Sequence, residues 1–459
     1  LTPGAPINTK PLQESIAATA ALVRSGLPSL PADAVTDILL RRAPRTVSGG
    51  PLPRDGDIAD DITAALLDLD SSYLAVHGPP GTGKTFTSAK VIARLVNDHG
   101  WRVGVVAQAH AVVENLFDDL IAAGVDGSRI AKKTNSECRG WTEITNPDFA
   151  GFIADHDGCV VGGTAWDFAN ANKIPRLALD LLVVEEAGQY SLANTIAVAP
   201  SARNLMLLGD PQQLPQVSQG THPEPVNESA LGWLVDGEHI LAPERGYFLD
   251  YSFRMHPAVC GPVSRLSYDG RLRSREEVSA ARHLDGVPPG VRVLTVDHDG
   301  NSTDSPEEAA AIVAEIEALL GTGWTDEAGT RPLGQRDVLI VTPYNAQVVM
   351  LRRRLDAAGL SDVQVGTVDK FQGRQAPVVF VSMTASSTED APRGVSFLFN
   401  RNRLNVAVSR AKYAAVIVRS ALLTDYLPAT PDRLVELGAF LSLSSEWHAD
   451  DEHCDTPSE

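Results

Sequence analysis

The stretch Tyr73-Leu74-Ala75-Val76-His77-Gly78-Pro79-Pro80-Gly81-Thr82-Gly83-Lys84-Thr85 decides the fold. Its apolar start reads as a buried strand, and helix-forming residues continue after it through Lys90, Val91 and Leu95. Between strand and helix, Gly78, Pro79, Pro80, Gly81, Thr82, Gly83, Lys84 and Thr85 form an uninterrupted phosphate loop. The glycines let successive backbone N–H groups turn inward around an anion, Lys84 neutralises phosphate oxygens, and Thr85 offers a hydroxyl to Mg²⁺. A glycine-rich turn that binds nothing would not need strand, loop, Lys-Thr and helix in this order. The chain is therefore expected to bind a nucleoside triphosphate with Mg²⁺.

The 459 residues suffice for two or three domains. Hydrophobic content of 43% and charged content of 21% are ordinary for a globular chain, and no apolar run approaches the roughly 18 residues that span a bilayer. No membrane role and no secretory signal are expected, and a start at Leu1 suggests a fragment of something longer. Cys138, Cys159, Cys260 and Cys454 are scattered without Cys-x-x-Cys spacing, which fits a reducing cytoplasm and indicates neither a zinc site nor a disulfide framework. A net charge of −19 argues at first against a nucleic-acid partner. Distribution matters more than the sum. Acids crowd the end of the chain (Glu446, Asp450, Asp451, Glu452, Asp455, Glu459), whereas Arg352 to Arg354 and the set Arg401, Arg403, Arg410 and Lys412 are locally basic. For Arg352 to Arg354, a solvated helix face is the simpler reading.

Residues 1–57 are Pro-rich, with helical stretches near Leu12 to Val23 and Ala32 to Arg42, and read as a connector or the end of an upstream domain. From there apolar runs alternate with helical patterns, with strands expected at Val103 to Ala107, Cys159 to Val161, Leu181 to Val184 and Leu205 to Leu208. A second series follows at Val291 to Val296, Val338 to Val341, Val363 to Val365, Val378 to Ser382 and Ala415 to Val418, with helices at Pro306 to Leu320 and Asn345 to Ala358. The expected division is 58–245 and 246–426, with an acidic tail at 427–459.

After the strand ending at Val184 come Glu185 and Glu186. Carboxylates there lie beside the phosphates, one for the Mg²⁺ shell and one to orient or deprotonate water. The next strand ends in Gly209-Asp210-Pro211-Gln212-Gln213, whose Asp or Gln can hydrogen-bond a γ-phosphate or its water. With Phe253-Arg254-Met255-His256-Pro257, Thr342-Pro343-Tyr344-Asn345-Ala346-Gln347, Gly366 to Gly373 and Asn402 to Lys412, the chain resembles the superfamily 1 helicases over roughly residues 58 to 426. Within them it looks like the branch holding the nonsense-mediated-decay helicase and the replication nuclease-helicase. The resemblance is strongest to the helicase half of bacterial RecB-like nuclease fusions.

That resemblance implies an α/β fold of two tandem RecA-like domains with parallel sheets and ATP in a cleft between them. It implies a monomeric, cytoplasmic, 5′ to 3′ motor of DNA repair type on single-stranded nucleic acid, DNA favoured over RNA, with a RecB-like nuclease fused or associated. Arg254 and Arg410 are then arginines for the γ-phosphate, Gln213 couples phosphate state to the strand, and Gly373 and Gln375 belong to the nucleotide site. Phe253 is expected to stack on the base, or else to pack in the hinge. His110, Thr164, Tyr344, Asn345 and Thr367 are assigned to the strand, although His110 is equally readable as a locally satisfied helix-start residue and Tyr344 as core. Three departures stand out. Glu185 replaces the usual Asp as Mg²⁺ ligand, Gln375 replaces a common Glu and leaves the ribose contact open, and Asp60 and Asp61 stand where an adenine-reading Gln is usual. An AAA+ type remodelling ATPase and a nucleotide-gated clamp with weak hydrolysis are the rival readings.

Overall fold

The computed structural model describes residues 8–133, 140–146, 148–216, 222–371 and 373–444. Contacts divide the chain into two compact units, Leu1–Asp250 and Tyr251–Glu459.

The first unit is built on eight strands: β1 (Tyr73–His77), β2 (Arg102–Val106), β3 (Ile130–Lys132), β4 (Thr142–Glu143), β5 (Cys159–Gly163), β6 (Leu179–Glu185), β7 (Ala202–Gly209) and β8 (Gly246–Phe248). They lie in the order β4-β3-β5-β2-β6-β7-β1-β8, every neighbouring pair parallel. A parallel sheet covered on both faces needs strands that are apolar throughout. Tyr73, Ala75, Leu182 and Val184 face one apolar cluster, while Leu74, Val76, Leu181 and Val183 face another.

The expected strands all occur, two of them shifted by one residue at unchanged length and the others extended, where the sheet ladder continues past the apolar runs. Two readings need correction. The Pro-rich start is not a connector: the helix Lys10–Gly26 packs on the helix Leu192–Val198, and Leu12, Val35 and Ile38 belong to the first unit's core. The boundary placed at 245 falls at 250, because β8 pairs with β1 from Ala75↔Gly246 to His77↔Phe248.

The second unit contains a short parallel pair, β9 (Tyr251–Ser252) with β10 (Arg273–Ser274). A small antiparallel sheet joins β11 (His283–Leu284), β13 (Gly323–Asp326) and β14 (Gly329–Pro332). Its main sheet is fully parallel, formed by β12 (Gly290–Thr295), β15 (Val338–Thr342), β16 (Gln364–Thr367), β17 (Ala376–Ser382) and β18 (Ala411–Arg419), in the order β12-β18-β17-β15-β16. The expected helices span Pro306–Leu319 and Asn345–Ala357. The segment from 427 is not simply a tail, because the helix Pro431–Ser442 stacks Phe440 on Phe399 at 4.5 Å and buries Leu437. Its acidic end from Glu446, together with Cys138, Cys454 and Gln372, lies outside the described residues.

Candidate active site

Parallel strands put all their C-terminal ends on one edge, where ligands bind in sheets of this kind. β6, β7 and β1 are consecutive neighbours, so the carboxylates after β6, the Gly-Asp-Pro-Gln-Gln loop after β7 and the phosphate loop after β1 converge at that edge. The phosphate loop turns through left-handed Gly81 (φ 76°) and Gly83 (φ 74°) into the helix Lys84–Asn97. Lys84 Nζ donates to the carbonyls of Gly78 (2.6 Å) and Pro79 (3.5 Å), which holds its ammonium across the loop mouth. Thr82 Oγ1 bonds the Pro79 carbonyl at 2.9 Å, and Thr85, half-buried, stands in the first helical turn.

Glu185 ends β6, 5% exposed, with Ser88 Oγ 3.5 Å from its Oε1. Burial, and then the Glu186 carboxylate, push its carboxyl up to about 8, while Lys84 pulls the other way. A buried carboxyl short of positive charge fits a divalent cation, which would return it to the anionic form. Among the described residues no three His, Cys, Asp or Glu cluster as a metal cage. Mg²⁺ in nucleotide sites takes one or two carboxylates plus phosphate oxygens, so Thr85 and Glu185 suit it. Glu186, half-buried, is held at φ 54°, an uncommon conformation for a residue with a Cβ.

The loops after β6 and β7 touch backbone to backbone. Ala187 N–H donates to the Leu208 carbonyl at 2.8 Å, and a Cβ on Gly188 would collide with the Asp210 carbonyl. Asp210 is 1% exposed and receives Gln213 Nε2 at 2.9 Å, so Gln213 sits beside the phosphate loop through a second carboxylate. His77, the last residue of β1, completes the link with Nε2 3.1 Å from Asp210 Oδ1. Its Nδ1 accepts the Leu241 N–H at 3.4 Å, which fixes Nε2 as the donor. Although its burial opposes this, the hydrogen bond from His77, the Lys84 charge and the hydrogen bond from Gln213 together hold the Asp210 carboxyl below the usual range. Sequence reasoning missed His77. Its signal was a lone titratable residue ending an apolar strand immediately before the phosphate loop.

In the second unit, Arg254 Nε donates to Gln375 Oε1 at 2.8 Å and Nη1 to the Ser409 carbonyl at 3.0 Å. Arg410, 2% exposed, donates from Nε to Val406 O at 3.0 Å. Burial and the Arg410 charge draw the Arg254 guanidinium down to about 9, still cationic at neutral pH. Two cations held this close suit an anion. Gln375 thus orients Arg254, a role its neutral amide fills without cancelling the charge. Arg282, also missed in the sequence, donates to the backbone carbonyls of both Phe253 and Arg254 and pairs with Glu327. Phe253 is 46% exposed, so its ring is not packed away. Gly373 (φ 80°) stands in the same segment as Gln375.

The residues assigned to the strand gather by unit. His110, exposed, begins the helix His110–Ala122 that follows β2, and Thr164 follows β5, which pairs with β2. Thr164 caps the helix Ala165–Phe168 through Asp167, so its hydroxyl is engaged locally. Tyr344 and Asn345 follow β15, and Thr367 ends the adjacent β16. Asn345 is exposed, whereas Tyr344 is 8% exposed and packs 5.8 Å from Phe397, which favours the core reading for it.

Two family models, each described as an AAA domain, match residues 60–230 and 228–421. The chain is 26% identical over 362 residues to the DNA replication ATP-dependent helicase/nuclease DNA2 of Gallus gallus, covering 76% of this chain and 35% of that protein. It is 24% identical over 406 residues to the Regulator of nonsense transcripts 1 homolog of Drosophila melanogaster, covering 75% and 32%. The chain is a relative of the superfamily 1 helicases. Its relatives include the nonsense-transcript regulators and the replication helicase/nucleases. The chain spans about a third of the length of the replication helicase/nucleases it matches. A solved complex of Arterivirus nonstructural protein 10 (helicase) with DNA aligns over 75% of this chain and 60% of that one, with a TM-score of 0.42 and 18% identity.

Proposed function

We propose that this helicase relative is an ATP-dependent motor on single-stranded nucleic acid, DNA favoured over RNA, travelling 5′ to 3′. The observation that carries the reading is the convergence of Lys84, Glu185, Glu186, Asp210 and Gln213 on one sheet edge. Gly78 to Thr85 hold the phosphates, and Thr85 with Glu185 hold Mg²⁺, which supplies Lewis-acid stabilisation of the phosphoryl oxygens when bound. Glu186 orients or deprotonates the attacking water, and Arg254 and Arg410 stabilise the spread charge of phosphoryl transfer. DNA over RNA, polarity, a nuclease fused or associated, a monomeric state, a role in DNA repair and a cytoplasmic setting are drawn from the resemblance to the branch. The helicase/nuclease in the name of the Gallus gallus relative supports the nuclease and the DNA substrate. No helix among the described residues is long and apolar enough to cross a membrane.

The AAA+ remodelling reading needs a helical lid where this chain has a five-stranded parallel sheet. A clamp with weak hydrolysis is the second reading, because Glu185 stands where the branch usually has Asp and Gln375 where it commonly has Glu. Steady-state ATPase with and without oligo(dT), double-stranded DNA and RNA at fixed salt separates the readings. A motor shows strand-stimulated turnover that Lys84→Ala and Glu186→Gln each reduce at least about 100-fold. Retention of most of that turnover by either variant removes the site assignment, and turnover indifferent to strand favours the clamp.

A further inference from the structure

Phe397 lies in the short helix Val395–Leu398, close to the residues that follow β15. The Arg393 guanidinium carbon stands 3.8 Å from the Phe397 ring centroid and that of Arg403 stands 4.3 Å from it. Tyr344 packs on the same ring, and Arg403 reaches Asp369 at 3.5 Å, two residues beyond Thr367. The group therefore sits at the C-terminal ends of β15 and β16, beside exposed Asn345 at the start of a 13-residue helix.

An exposed arginine normally gains little from being held still, since ordering a long side chain costs rotamer entropy. Here the Phe397 ring packs against two guanidiniums and restrains them, and a cation held by a ring face keeps its N–H donors for other partners. Arg393 is exposed and, among the described residues, its side chain makes no hydrogen bond or ion pair. Among the described residues, the ion pair of Arg403 is with Asp369. Pre-set planar forks with unspent donors match phosphate oxygens, and recognition of this kind reads backbone, not sequence.

We infer that Arg393 and Arg403, ordered by Phe397, form a phosphate clamp for single-stranded nucleic acid on the second unit, beside Asn345. The inference rests on the proposed function; Arg393 and Phe397 lie outside the helicase blocks, and Arg403 lies within the Asn402 to Lys412 block but had no assigned role. Phe397 is a positioning residue in the clamp, and the arginines touch the strand.

The test is the affinity for a fluorescent oligo(dT), measured by anisotropy across a salt series with the full chain. Each phosphate contact to a single strand contributes about 0.7 to the slope of log K against log salt. Arg393→Ala is expected to lower that slope by about 0.7 and to weaken binding about tenfold at physiological salt. Arg353→Ala makes the same charge change at an exposed position in the helix Asn345–Ala357 and should leave the slope as it is. Phe397→Leu keeps the charge and should weaken binding by loosening both guanidiniums. Thermal melting checks that each variant folds, and Arg393, being exposed, decides the matter if Phe397→Leu does not. An unchanged slope for Arg393→Ala, or an equal drop for Arg353→Ala, overturns the clamp while the motor reading stands. Failure of the unaltered protein to bind oligo(dT) or oligo(U) overturns the motor reading and the clamp with it.

Discussion

At Glu185 burial, and then the neighbouring Glu186 carboxylate, decide the electrostatics. Its carboxyl has an ordinary value of 4.5 and is pushed up to about 8 in the fold, so the folded chain holds a proton there that the unfolded chain releases. The sign follows from linkage: the stability this group contributes is fully present below about 4.5 and is lost as pH rises through about 8. In Mg²⁺-free buffer the protein is therefore expected to melt at a lower temperature at about pH 9 than at about pH 6. Glu185→Gln, which cannot ionise, should flatten that difference, and added Mg²⁺ should narrow it in the unaltered protein. Identical pH profiles for Glu185→Gln and the unaltered protein would mean that other groups set the dependence. His77 shows a different property of single residues. Its partner Asp210 lies 133 positions away, and only the neighbouring of β1 and β7 brings the two together, so local sequence could reveal the histidine but not its task.

Elements were legible where their signal is local. Phosphate loop, buried strands and the helices after them follow from composition and period, and each occurs within a few residues of its expected place. What escaped were the tertiary partners of weakly patterned segments. Nothing in the Pro-rich start states that the helix Lys10–Gly26 will lie on Leu192–Val198, yet Leu12 is buried and Ser15 Oγ donates to the Ala197 carbonyl at 2.6 Å. The same holds for Arg254 and Gln375, 121 positions apart, whose contact depends on how the second unit folds back on itself. If the first helix is part of the core, Leu12→Ala should cost about 2–3 kcal/mol in urea unfolding of the first unit. A loss below about 0.5 kcal/mol would return the segment to the status of a connector.

Over the whole molecule, the chemistry is divided between the units. Lys84, Glu185, Glu186 and Gln213 belong to the first, while Arg254 and Arg410 belong to the second and repel one another within it. If, as proposed, the phosphates are gripped by the first unit and the arginine pair of the second stabilises charge, binding and turnover are expected to be separable by substitution. Arg254→Ala is expected to leave ATP affinity within a few-fold while lowering kcat about 10³-fold, the scale on which arginines act in phosphoryl transfer. Arg254→Lys should recover little, because an ammonium lacks the planar fork that meets both Gln375 and a phosphate. Equilibrium binding of a fluorescent ATP analogue and single-turnover hydrolysis measure the two quantities separately. If both fall together, Arg254 serves binding alone, and if kcat is unchanged, the guanidinium pair in the second unit has no part in the reaction.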